Sequence, residues 1–279
     1  MSIPRDHHFL PKFYTARWVT SGSLICYTRP RPYGPLHGRA ASPKAVGKRR
    51  DLYRYTEGFD EIDRQRIEVK LFGPIETRAS EALRKIDEGE PGSGSDKIGL
   101  VQFVLSLQFR SPSRIDHLLL ELKKRFEGID LKYHEPLEFN EFDRDLVLDL
   151  VGDLISSDIL IEAIGEMQAF RVDVPSDHKL LTSDHPLIIS QGIDHQDAFI
   201  ILPYAPDRLV IFARRESTVA RFSDQDPKLL AYELNDAVVR QARHFVISPD
   251  QSSRRFIDNR FLRNTKSLPG DGILRWELP

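Results

Sequence analysis

The feature that most limits what this chain can fold into is a change of hydrophobic period beyond its midpoint. Over residues 60–166 apolar side chains recur every three to four positions, as helices require. Ile75, Ala79, Ala82, Leu83 and Ile86 mark one such face, and Gly73-Pro74 divides the 60–87 stretch into two helices. Residues 97–109 are apolar almost all round, the mark of a central buried helix. Residues 113–126 and 143–166 give further amphipathic helices. Downstream the pattern shortens. Strands are expected over 170–174, 179–182, 187–190, 198–202, 209–213 and 245–248. Asp226-Pro227 is an N-cap and first-turn pair that opens one more helix, to about Ala242. Helices followed by strands define an α+β fold. It should have a helical N-terminal and middle layer packed on a mainly antiparallel sheet from the C-terminal half.

Nearer the start, Pro11 opens a short helix and 23–28 reads as a strand. The Pro/Gly-rich stretch 29–47 reads as an extended loop, and 88–96 (EGEPGSGSD) as a linker. Residues 1–250 then form a single domain, and 251–279 a loosely packed C-terminal tail.

Charge is uneven although the chain's formal net charge is only −2. Residues 1–54 carry eleven Lys and Arg against Asp6 and Asp51, whereas 135–166 carry ten acids against Arg144. Such asymmetry steers a ligand or partner, or else lets the two regions face each other. The single cysteine, Cys26, excludes an intrachain disulfide and a Cys-based metal site. The longest apolar run, 98–109, is shorter than the roughly twenty residues a bilayer span needs. No secretory signal opens the chain, so a cytoplasmic protein with no membrane association is expected.

Several short segments, in order, carry a resemblance. They are His8-Phe9-Leu10-Pro11-Lys12-Phe13-Tyr14, Ile25-Cys26-Tyr27, Ser42-Pro43-Lys44 before Asp51-Leu52-Tyr53, and Ile75-Glu76. Then follow Leu107-Gln108-Phe109-Arg110-Ser111-Pro112, Thr182-Ser183-Asp184-His185-Pro186, Leu202-Pro203 with Leu209-Val210-Ile211, and Leu234-Asn235. In this series the chain resembles the bacterial family called domain of unknown function 4238, over about residues 6–248. The resemblance implies no particular chemistry. The chain departs from it at Thr15-Ala16-Arg17, where a leucine then a basic residue is expected, and at His185, where a small amide is expected.

The residues singled out for chemistry are His8, Asp184 and Asn235 as catalytic candidates. His8 is a general base or metal ligand on one reading and a packing histidine on the other. His7 and His8 are adjacent, so on a strand only one of them can face a given site. Asp184 holds a metal or orients a histidine, or else caps a tight turn with Ser183. Asn235, in an apolar helix, reaches a site or bonds buried backbone. Tyr14, Arg17, Gln108, Arg110, Ser183 and His185 are the expected substrate contacts. Arg110 either meets an anionic ligand or interacts with the C-terminal dipole of its own helix.

No Gly-rich phosphate loop, paired-cysteine zinc pattern, His-Glu-x-x-His or Gly-x-Ser-x-Gly elbow occurs. Basic and aromatic residues interleave near the N-terminus, a composition suited to stacking bases and neutralising phosphates. The expectation is a hydrolase of nucleic acid or nucleotides, of a defence or toxin type, with a divalent metal as the candidate cofactor. The alternative is a non-enzymatic module that docks a protein partner or a second copy. His8, Asp184 and Asn235 are expected to converge within side-chain reach.

Overall fold

The computed structural model describes residues 5–127, 141–190 and 192–263. Strand β1 (Asp6–His8) leads through Pro11 into α1 (Lys12–Thr15), which tightens into a 3₁₀ turn at Ala16–Trp18. Strands β2 (Leu24–Thr28), β3 (His37–Ala41) and β4 (Lys48–Arg50) follow. The helical layer comprises α2 (Gly73–Glu88), α3 (Gly94–Phe109), α4 (Pro112–Glu127), α5 (Glu141–Ser156) and α6 (Asp158–Gly165). Next come β5 (Gln168–Asp173), β6 (Thr182–Ser183), β7 (Ile188–Ile189), β8 (Phe199–Ala205) and β9 (Arg208–Ala213). The described chain ends with α7 (Glu216–Ser223), α8 (Pro227–Gln241), β10 (Phe245–Ser248) and α9 (Arg254–Asp258).

The fold is α+β, and the strands pair antiparallel throughout the described residues. They form more than one sheet. β5-β9-β8-β7 is built from the C-terminal half, whereas β3-β2-β10-β6 joins N-terminal to C-terminal strands, and β1-β4 is a separate ribbon. The stretch 29–47 therefore contains a strand where an extended loop was expected. β3 reads His-Gly-Arg-Ala-Ala, with no β-branched or aromatic residue to signal it, and only Ala41 is buried. Gly38 suits this strand because a Cβ there would stand 2.6 Å from the Tyr27 ring.

Period-2 alternation gives each sheet two buried faces. On β9, Val210 and Phe212 join the main core with the helical layer, while Leu209, Ile211 and Ala213 pack with Val219 of α7 and Leu230 of α8. On β10, Phe245 and Ile247 face the main core and Val246 faces Val239 of α8. Helices thus lie on both sides of the strands, where one helical layer was expected. In the main core α3 is buried from Gly99 to Phe109 except at Gln102, as its almost uniform hydrophobicity predicts. Its start lies inside the predicted linker, where Ser93 and Asp96 form a reciprocal capping box.

Two helix boundaries differ from the sequence reading. Residues 143–166 are two helices, because the Ser157 side chain caps α6 and restarts the winding. Conversely, the chain does not break at Gly73-Pro74. It winds a wider π-helical segment at Ile67–Phe72 directly into α2. The wide turn keeps the Pro74 ring clear of the preceding carbonyls, and Pro74 in the first turn of α2 needs no N–H partner. The segment expected as a loose tail also packs, up to residue 263. Ile257 and Phe261 are fully buried beside Tyr27, Val239 and Val246, and residues 264–279 lie outside the described residues. Among the described residues no helix is long and apolar enough to cross a membrane.

Candidate functional site

The β1–β4 ribbon sets two adjacent histidines in opposite directions. Gly47 (φ +63°) leads into β4; a Cβ there would stand 2.7 Å from the Leu10 Cβ, and its carbonyl accepts the Leu10 N–H. His7 is buried and stacked on Tyr53, with ring centroids 5.5 Å apart. Its Nδ1 accepts the Tyr53 backbone N–H at 2.8 Å, so Nε2 carries the proton and meets Gln65 Oε1 at 3.2 Å. His7 is a structural residue. His8, paired in register with Lys48, is also buried, yet its Nε2 has no hydrogen-bond partner.

Arg110 lies beside it. It ends α3, where its N–H still bonds the Ser106 carbonyl, and its side chain is fully buried. Nε donates to the Phe9 carbonyl at 3.0 Å and Nη1 to Glu76 Oε1 at 2.9 Å. The Phe72 ring lies under the guanidinium, 5.2 Å away, and the Tyr53 hydroxyl donates to the Arg110 carbonyl. Nη2 is left without a partner. So is Oε2 of Glu68, in the first turn of the π-helical segment.

The same two cations, Arg110 and Lys12, act on the titration of both His8 and Glu68. Burial, helped by Lys12, Lys48 and Arg110, pushes His8 down to about 4, against a smaller upward pull from its hydrogen bond to the Lys44 backbone. Burial also lifts Glu68 to about 7, reinforced by Glu76 and opposed by Arg110 and Lys12. At neutral pH the site therefore holds an uncharged imidazole, a carboxyl poised between its two forms and a permanent cation. Lys12 and Lys44 stand exposed at its edge.

His8, Asp184 and Asn235 spend their hydrogen bonds in three different places. Asp184 is buried and accepts from the backbone N–H groups of Arg243 (3.0 Å) and His244 (2.9 Å), and from His244 Nδ1 (2.9 Å). Burial favours its neutral form, but the His244 bond and the neighbouring charges hold it below the usual carboxylate range. The Asp184 bond in turn raises His244, which is half-exposed. Asn235 accepts the Leu181 N–H at 2.7 Å and donates to the Lys179 carbonyl at 2.9 Å, tying α8 to the segment before β6.

The other candidates are mostly internal ties. Ser183 donates to the His185 carbonyl within its turn, while the His185 ring meets Ser113 Oγ at 2.8 Å. His185 is held below its ordinary value, chiefly by burial. The Tyr14 hydroxyl donates to the Pro203 carbonyl at 2.6 Å and accepts from Thr182 at 2.7 Å, joining the sheets inside the core. Arg17 pairs with Asp87 at 2.7 Å, where Arg208 and Tyr204 also meet. Gln108 is buried in the last turn of α3. Of the nine candidates the site keeps His8 and Arg110. It adds Glu68 and Lys12. Glu68 had no sequence signal beyond its place just before Gly73-Pro74. Among the described residues no group of three or more His, Cys, Asp or Glu side chains is arranged to hold a metal ion.

Around this site the segments that carry the resemblance, Phe9, Lys12, Glu76 and Arg110, come together. The chain belongs to the family described as protein of unknown function DUF4238, whose model matches residues 6–252. No curated protein and no solved structure matches it.

Proposed function

We propose that this chain is a hydrolase of phosphate-bearing substrates, nucleotides or nucleic acid, working at His8, Glu68 and Arg110. One observation carries the reading: His8 Nε2 and Arg110 Nη2 are buried without partners, and Arg110 Nε donates to the carbonyl of Phe9, the residue next to His8, at 3.0 Å. Native folds leave few such atoms unsatisfied, and a ligand is one way to complete them.

In this mechanism Arg110 Nη2 holds a phosphate oxygen, with Lys12 and Lys44 drawing the anion in. His8 Nε2 takes a proton from a water molecule. The water oxygen bonds to phosphorus as the bond from phosphorus to the leaving oxygen breaks. The leaving oxygen keeps that electron pair and takes the proton of Glu68. Imidazolium and carboxylate then exchange their protons with solvent, which restores the starting state. A bound phosphate offsets the cations that depress His8, so the ring becomes a stronger base when it is needed. The displaced titration of His8 supports this reading over a docking module, which has no need of a buried, unpartnered histidine.

The test is release of product from nucleoside phosphates and from single-stranded DNA and RNA, with and without Mg²⁺ or Mn²⁺. Wild type should turn over at least one of these substrates, and folded His8→Asn should lose about 10²-fold or more, the usual scale for a general base. An intact substrate panel with folded wild type would contradict the reading.

A further inference from the structure

The segment 182–186, which the sequence marks for chemistry, has no part in the reading above. The structure brings it against the first turn of α4. Ser113 Oγ and His185 Nε2 stand 2.8 Å apart, inside the roughly 2.6–3.2 Å that relates a nucleophile to its general base. Asp184 Oδ2 lies 3.8 Å from the same ring nitrogen. That is too long for a hydrogen bond but close enough to be the countercharge of an imidazolium. The hydroxyl is the outermost group of the three. Ser113 is partly exposed, whereas His185 and Asp184 are 7% and 2% exposed.

The base and the carboxylate are both fixed. The His185 carbonyl accepts from Ser183 Oγ and Gln241 Nε2, and the His185 N–H donates to Ser183 Oγ. Asp184 Oδ1 accepts the Arg243 and Phe245 N–H groups, and Oδ2 accepts from the His244 backbone and ring. Those donors favour the ionised carboxylate, and burial favours the uncharged His185 ring. A purely structural tie between α4 and the turn after β6 needs only the Ser113–His185 bond. It has no use for a fixed carboxylate beside the accepting nitrogen.

We propose that Ser113 is a nucleophile with His185 as its general base, and that this second site cleaves carboxylic esters through an acyl-serine. Ser113 Oγ bonds to the ester carbonyl carbon as its proton passes to His185 Nε2, beside Asp184. The bond from that carbon to the leaving oxygen then breaks. The leaving oxygen keeps the electron pair and takes the proton from Nε2, so an alcohol departs. Water repeats the sequence in reverse. It gives a proton to Nε2 as its oxygen bonds to the acyl carbon, and Ser113 Oγ leaves and recovers the proton. The sum is ester and water to acid and alcohol. An uncharged carbonyl suits a base with an ionised carboxylate beside it better than a phosphate dianion does.

The experiment treats the wild type with an alkyl fluorophosphonate, whose phosphorus bonds an activated serine oxygen and loses fluoride, and reads the adduct by intact mass and peptide mapping. Ser113→Ala and His185→Asn are run beside it, each verified as folded by circular dichroism. The asparagine amide can still bond Ser113 Oγ but takes no proton. The expected result is one adduct, on Ser113, absent from Ser113→Ala and formed about 10²-fold more slowly in His185→Asn. No adduct on folded wild type, an adduct that maps to another residue, or labelling of His185→Asn at the wild-type rate overturns the proposal. The wild-type map decides by itself should a variant not fold. Release of nitrophenol from p-nitrophenyl acetate and from p-nitrophenyl phosphate then reads the substrate class. Release from the acetate that is lost in Ser113→Ala supports the ester assignment. Release from the phosphate alone, or from the acetate equally in Ser113→Ala, overturns it.

Discussion

Arg110 Nη1 donates to Glu76 Oε1 at 2.9 Å, joining the residue that ends α3 to the first turn of α2. That bond and the one from Nε to the Phe9 carbonyl aim the guanidinium across the chain, away from the dipole of its own helix. Glu76→Gln keeps an acceptor but removes the countercharge of a fully buried cation. It should cost roughly 2 kcal/mol of stability, less than for a wholly buried pair because Glu76 is partly exposed. Urea unfolding measures it, and a variant as stable as wild type would show that the pair does not hold Arg110.

Glu68 and His8 give opposite pH signatures. Glu68 is raised, to about 7 from an ordinary 4.5, so as pH climbs through that window the unfolded chain releases a proton that the folded chain keeps, and stability falls. His8 is depressed, to about 4 from 6.5, so stability falls as pH drops through its window. Glu68→Gln should therefore gain on wild type between pH 5 and 8, and His8→Asn should gain on it between pH 6.5 and 4. Thermal melts followed by circular dichroism across pH decide both, and parallel curves for variant and wild type would refute the assignments.

The Asp184–His244 pair behaves differently. His244 is raised above 6.5 by its bond to Asp184, so its contribution is fully present below 6.5 and is lost as pH rises through its higher folded value. Asp184 is held below its ordinary 3.8, so its contribution is present above that value and is lost only in strong acid. His244→Ala should abolish the stability loss on the alkaline side of pH 6.5 and also weaken the acid limb of Asp184, which loses the bond that does most to offset its burial. An NMR titration that finds His244 at or below 6.5 would sink this account.

Asn235 bonds the backbone with both ends of its amide. Asn235→Ala strands the Leu181 N–H and the Lys179 carbonyl and should cost about 3 kcal/mol, the scale of two buried unsatisfied groups. The fraction that stays folded should keep wild-type turnover per molecule, measured as kcat at 15 °C. A selective loss of kcat with stability intact would return Asn235 to the catalytic list.

Much of the fold could be read from local pattern. α3 announced itself by uniform hydrophobicity, and β8 and β9 by runs of β-formers between turn residues. What escaped depended on partners distant in the chain. β3 is a strand because β2 pairs with it, not because its own residues favour one. The π-helical segment has no sequence signature apart from the proline that follows it. In the site, His8 and Arg110 were legible as polar residues at the edges of apolar segments. Glu68 was not, because the cations that act on it, Arg110 and Lys12, are distant in the chain. Asp184 and Asn235 looked chemical for the same reason as His8, as polar groups among apolar ones. Each proves to serve backbone groups, and the partner of Asp184, His244, is sixty residues further on.

The most direct test of the central claim is the turnover of phosphate substrates by His8→Asn beside Tyr14→Phe, both verified as folded. Tyr14 lies in the core and bonds only Thr182 and Pro203, so its variant controls for lost stability. Activity lost by about 10²-fold in His8→Asn and retained in Tyr14→Phe is the predicted result. Equal turnover by His8→Asn and wild type would contradict a site built on His8, Glu68 and Arg110.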